Sequence, residues 1–62
     1  MKRRKLLFHL KNNDCELLFE GGKHSMYFNT KTKKTSTVPR HIEIDNWLAV
    51  KICKDLEIPP PS

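Results

Sequence analysis

Sixty-two residues make one small domain, 1–62, with no room for a separate cofactor domain, and a core of that size contributes only about 3–5 kcal/mol. Lysine and arginine number 12 against 7 for aspartate and glutamate, a formal charge of +5, which favours a polyanionic partner: nucleic acid, an anionic membrane or an acidic protein. The longest apolar run near the N-terminus, Leu6-Leu7-Phe8, is far too short for a membrane span or a signal-peptide core, so no membrane association and a cytoplasmic location are expected.

In chain order, Lys2 to Asn13 reads as a helix with Leu6, Leu7 and Leu10 forming one apolar stripe. Asn13-Asp14 ends it, because both residues tolerate a turn or left-handed conformation. Four cations, Lys2-Arg3-Arg4-Lys5, oppose the macrodipole at the helix start, a mild defect that hints at a use other than helix stability. Cys15 to Glu20 is a strand with Leu17 and Phe19 expected on one face and Leu18 on the other. Gly21-Gly22 turns the chain, and Lys23 to Asn29 forms the second strand. Thr30 to Lys34 is a lysine-rich hairpin loop. Thr35 to Val38 is a β-branched third strand stopped by Pro39. Arg40 to Ile44 connects to a second amphipathic helix, with Asp45 as its N-cap and Leu48, Ile52 and Leu56 in its apolar stripe. The prolines at 59–61 stop it, and 58–62 reads as a proline-rich tail. The order helix, three antiparallel strands, helix predicts an α+β two-layer sandwich, the α-β-β-β-α topology of a double-stranded-RNA-binding domain.

Cys15 and Cys53 lie in no metal-like spacing and read as reduced, core-facing residues; a zinc site built from them with His24 and His41 lacks any closely spaced ligand pair. No metal and no cofactor is expected.

His24, in Gly21-Gly22-Lys23-His24-Ser25-Met26-Tyr27-Phe28, stands where turn becomes strand, next to a lysine. A histidine of ordinary pKa, about 6.5, is mostly neutral at pH 7 and can accept a proton. RNA carries its own nucleophile, the 2′-hydroxyl, so one base and a cationic phosphate grip suffice for cleavage without a metal. Lys23, Lys31, Lys33, Lys34 and Arg40 are candidates for that grip, and Lys2, Arg3 and Arg4 for further RNA contacts. His41 is a candidate general acid, water another. The bland reading makes His24 a core-edge residue, since strand parity groups it with Met26 and Phe28. His9 is expected to be exposed and Tyr27 structural. Trp47 either covers the end of the core or contacts a partner.

Three stretches together resemble the HicA (YcfA-like) family of small bacterial toxins. Gly21-Gly22-Lys23-His24 with Met26-Tyr27 is similar to the family's Gly-Ser-His element, and Thr37-Val38-Pro39-Arg40-His41 to its Thr-Val-Pro-x-His. The closing helix from Ile44 to Ile58 carries family-like apolar positions at Ile44, Ile52, Leu56 and Ile58. The resemblance implies a double-stranded-RNA-binding-domain fold, a translation-dependent mRNA interferase with His24 as its catalytic histidine, and neutralisation by a HicB-like antitoxin. Lys23 stands where many relatives have Ser, and Asp45-Asn46-Trp47 replaces a common Lys-Pro-Gly helix start. Glu57 replaces a glycine, so the chain there either takes a costly left-handed residue or ends differently. The alternatives are a non-catalytic RNA-binding module of the same fold, or inactive toxin homologue, and a protein-interaction adaptor.

Overall fold

The computed structural model describes residues 1–61; Ser62, the end of the proline-rich tail, lies outside them. Helix α1 (Arg3–Asn12) is followed by strands β1 (Cys15–Glu20), β2 (His24–Asn29) and β3 (Thr35–Pro39) and by helix α2 (Asn46–Asp55). The strands form one antiparallel sheet in the order β1-β2-β3, and the two helices pack on it as a second layer. The α+β sandwich read from the sequence is the observed architecture.

The core is made by the helical stripes. Leu6 and Leu10 of α1 and Ala49, Ile52 and Cys53 of α2 are buried together with Leu56, Ile44, Cys15 and Val38. Leu7, Leu48, Tyr27 and Ile58 pack at their edges, so Tyr27 is structural, as expected. Both cysteines are free thiols inside this cluster. Burial pushes the Cys53 thiol up to about 11, with Cys15 adding to it, and burial also raises Cys15. Neither thiol is disposed to act as a ligand or nucleophile, and both lie in the core while His24 and His41 are exposed. Among the described residues no three His, Cys, Asp or Glu side chains converge as metal ligands would.

The helix termini follow local chemistry. Asp14 takes a left-handed conformation (φ 66°) directly after α1, while the Asn13 and Asp14 N–H groups bond to Leu10 and Lys11 carbonyls. Asp45 occupies the N-cap of α2 through its backbone, its carbonyl accepting from Ala49 N–H at 2.9 Å. Its carboxylate makes no capping bond, contrary to the side-chain role that a sequence N-cap implies. His9 is half-buried rather than exposed, because its Nε2 meets the Pro59 carbonyl at 2.8 Å.

One sheet expectation is corrected. The register shifts between Leu17 and Phe19, so Leu17 pairs with Tyr27 and Phe19 with Met26. Tyr27 and Met26 point to opposite faces, so the bulge at Leu18 places Leu17 and Phe19 on opposite faces too. On β2 the helix-facing set is Ser25, Tyr27 and Asn29; His24, Met26 and Phe28 face away from both helices. At the strand's end His24 is exposed, yet it borders a hollow walled in part by the core residue Ile44 and by Leu48, so it stands at the edge of the core as well as at the surface.

The polar inward set is fully bonded. Asn29, only 4% exposed, donates from Nδ2 to the Leu56 carbonyl at 2.9 Å and accepts at Oδ1 from Lys31 N–H at 2.9 Å and Thr32 N–H at 3.3 Å. One side chain thus joins the end of α2 to the hairpin loop. Among the described residues no buried side-chain polar atom lacks a partner.

Candidate functional site

The β1–β2 connection is closed by Gly21 N–H donating to His24 O at 2.8 Å, leaving Gly22 and Lys23 as the loop. Neither glycine has positive φ. Gly21 is required for another reason: a Cβ there would lie 2.9 Å from the His24 carbonyl oxygen, whereas one on Gly22 would meet nothing within 4 Å. The glycine pair reads in the sequence as a turn device; its working member allows the close backbone approach that delivers His24.

Strand β3 meets this turn. His24 pairs with Pro39 across the ladder, and Arg40 N–H donates to Lys23 O at 3.2 Å. Pro39 is tolerated because β3 is an edge strand. Two of the three stretches that carry the family resemblance are thereby brought to one corner, through His24 and Pro39, 15 residues apart in the chain. There exposed His24 and His41 rim a shallow depression with Gly22, Lys23 and Arg40. His24 and His41 also border an adjoining hollow with Glu43 and Asp45. The base and general-acid candidates are neighbours, with two cations beside them and two carboxylates on the far side.

A chain of polar contacts braces this corner from behind. Arg3 Nε donates to the Pro39 carbonyl at 2.9 Å and its Nη2 to Ser25 Oγ at 2.9 Å. Ser25, wholly buried, donates in turn to Glu20 Oε1. The same carboxylate oxygen lies 3.6 Å from Arg40 Nη1, which also donates to the Gly21 carbonyl at 3.2 Å. Arg3 binds protein with two of its guanidinium nitrogens, and that bracing role has no local sequence signal because its partners are 22 and 36 residues away. Glu20 sets the electrostatics of Arg40, and an incoming phosphate must compete with a half-exposed ion pair, a weak contact.

The remaining cations separate into groups. Lys2 and Arg4 lie with Arg3, Arg40 and Ile42 around a groove at the start of α1, and Lys2 stands 3.8 Å from Glu43. Lys31, Lys33 and Lys34 are exposed in the β2–β3 hairpin, at the opposite end of β2 from His24. The five residue steps of that strand put them about 17 Å away. They cannot share a phosphate with His24, which removes them from the grip at the reacting phosphorus and leaves contacts farther along a bound chain. Lys31 also lies 3.2 Å from Asp14. Trp47 is 67% exposed on α2, near the start of that helix, so it does not cover the core. No helix of the described residues is long and apolar enough to cross a membrane. No family model matches the chain, and no curated protein or solved structure matches it.

Proposed function

We propose that this chain is an RNA-binding domain whose His24 corner cleaves the bound strand, a HicA-like mRNA interferase held in check by a HicB-like antitoxin. The observation that carries the reading is an exposed histidine at a strand start, with His41, Lys23 and Arg40 around the same depression. His24 takes the proton of a 2′-hydroxyl, whose oxygen attacks the adjacent phosphorus. Lys23 and Arg40 stabilise the charge that develops on the phosphoryl oxygens. The P–O5′ bond then breaks, and His41 or water supplies a proton to the departing oxygen. The products are a 2′,3′-cyclic phosphate and a 5′-hydroxyl, and no metal enters the balance. Trp47 is proposed as a contact for the antitoxin, since exposed tryptophan is enriched among binding hot spots.

The fold and the charge are what support the binding half of this reading; cleavage adds one further step, which rests on the His24 corner. A non-catalytic RNA-binding module, or an inactive toxin homologue, is the second reading, favoured by the α-β-β-β-α order and net charge without appeal to any reactive group.

Induced expression of wild type and His24→Ala decides between them. Wild type is expected to arrest growth and fragment transcripts, while His24→Ala does neither yet keeps the same circular-dichroism spectrum and RNA affinity. Undiminished cutting by purified His24→Ala sinks the catalytic assignment. Binding without cutting by wild type leaves the module reading. RNA affinity is expected to fall steeply with salt, and a flat dependence removes the phosphate contacts.

A further inference from the structure

We infer that the sheet face left bare by the helices is a stacking platform for the bases of single-stranded RNA. The inference rests on the RNA reading above and adds the substrate's form: an unpaired strand rather than a duplex. The bulge at Leu18 brings Phe19 onto this face opposite Met26, which pairs in turn with Thr37. Phe28 lies between Glu16 and Thr35, and His24 beside Pro39. His24, Met26 and Phe28 are alternate residues of β2, roughly 6.6–6.8 Å apart, and all point the same way. Phe19 is 66% exposed, and its ring leans toward the β1–β2 turn, with Cε2 3.6 Å from the place of a Gly21 Cβ. An exposed ring, Phe19, and a half-buried one, Phe28, thus lie on the face of β2 that carries the candidate base by strand alternation.

Charge selects the occupant. Lys23 stands at the His24 end of the face and Lys31, Lys33 and Lys34 at the other, with rings between them; Arg40 reaches the His24 depression from the side of the α1 groove. Glu16 is on this face by its pairing with Phe28; Glu20 pairs with Ser25 on the helix side, where it engages Ser25 and Arg40, and Asp14 stands 3.2 Å from Lys31 at the far end. A polymer with anionic linkages and flat apolar bases complements cations at both ends and rings in the middle. In a duplex the base faces are taken up by their neighbours, whereas an unpaired base offers its π-face to an aromatic side chain, whatever its sequence. A strand lying along β2 would hold bases against Phe19 and Phe28 while a ribose-phosphate reaches His24.

The test uses the full chain carrying His24→Ala, so that the probe is not cut. Fluorescence anisotropy compares a labelled ten-nucleotide single strand with the same strand annealed to its complement. Adding Phe19→Ala is expected to weaken single-strand binding about fivefold or more, adding Phe19→Tyr to preserve it, and neither to change binding of the duplex. Phe19 is largely solvated, so thermal unfolding should be unmoved. Equal single-strand affinity with and without the Phe19 ring overturns the inference, as does a preference for duplex. Lost self-association or lost binding of poly-glutamate in Phe19→Ala, with RNA affinity unchanged, makes the face a protein contact and also overturns it. Failure of the parent to bind RNA of either form sinks the RNA reading itself, a different outcome from an indifferent Phe19.

Discussion

Glu57 occupies a backbone position that suits a residue without a side chain. Its φ is 59°, and it closes α2 with its own N–H on the Lys54 carbonyl at 3.0 Å while Ile58 N–H reaches the Cys53 carbonyl at 3.0 Å. This is a Schellman ending with a glutamate where glycine is usual, and an L-residue there costs about 1–2 kcal/mol. Part of that cost is offset because glycine would loosen the unfolded chain. Glu57→Gly is therefore expected to raise stability by about 0.5–1 kcal/mol, read as a higher urea midpoint at unchanged slope; a lower midpoint refutes the account. The choice between a strained ending and a different one was posed by the resemblance, which sets a glycine where Glu57 stands, and the positive φ of Glu57 resolves it as the strained ending. Asn29 was not legible. It looks like a strand end, and only the arrival of α2 makes its amide the bond to Leu56 O.

The β1–β2 turn is the element on which the site depends, and its two glycines are unequal. Gly21→Ala forces a Cβ to within 2.9 Å of a backbone oxygen that cannot swing aside, and the oxygen belongs to His24. A loss of about 1–3 kcal/mol is expected, the usual size of a strain penalty at such a position. Gly22→Ala meets open space at ordinary φ and is expected to be neutral or to stabilise by about 0.4–1 kcal/mol. Thermal melts of the two variants check the contrast, and equal melting temperatures contradict it. The existence of a turn at 21–22 was plain from composition. Which glycine matters was not, because the clash is made by the strand that follows, in a pairing no local preference dictates.

For the molecule as a whole, the buried thiols and the half-buried Tyr27 phenol make stability fall at alkaline pH. Cys53 titrates near 11 instead of 9, and Cys15 and Tyr27 are also raised, burial being the first cause for each. All three are neutral when protonated, so the fold holds protons that the unfolded chain has begun to release. The stability this confers is complete below about pH 9 and is lost as pH rises toward 11. The urea midpoint is expected to decline across that window and to decline less in Cys53→Ala; a profile flat to pH 11 excludes the mechanism. The sequence by itself determined the helical stripes, the order of five elements and the Gly-Gly-Lys-His element, because each rests on spacing within a few residues. Only the tertiary structure decided which face of β2 is covered, that β1 bulges, that Arg3 turns inward and that the hairpin lysines stand a strand's length from His24. Alternation along a strand gives two faces without saying which is buried. That choice belongs to where the helices land, and it is made by contacts between residues far apart in the chain.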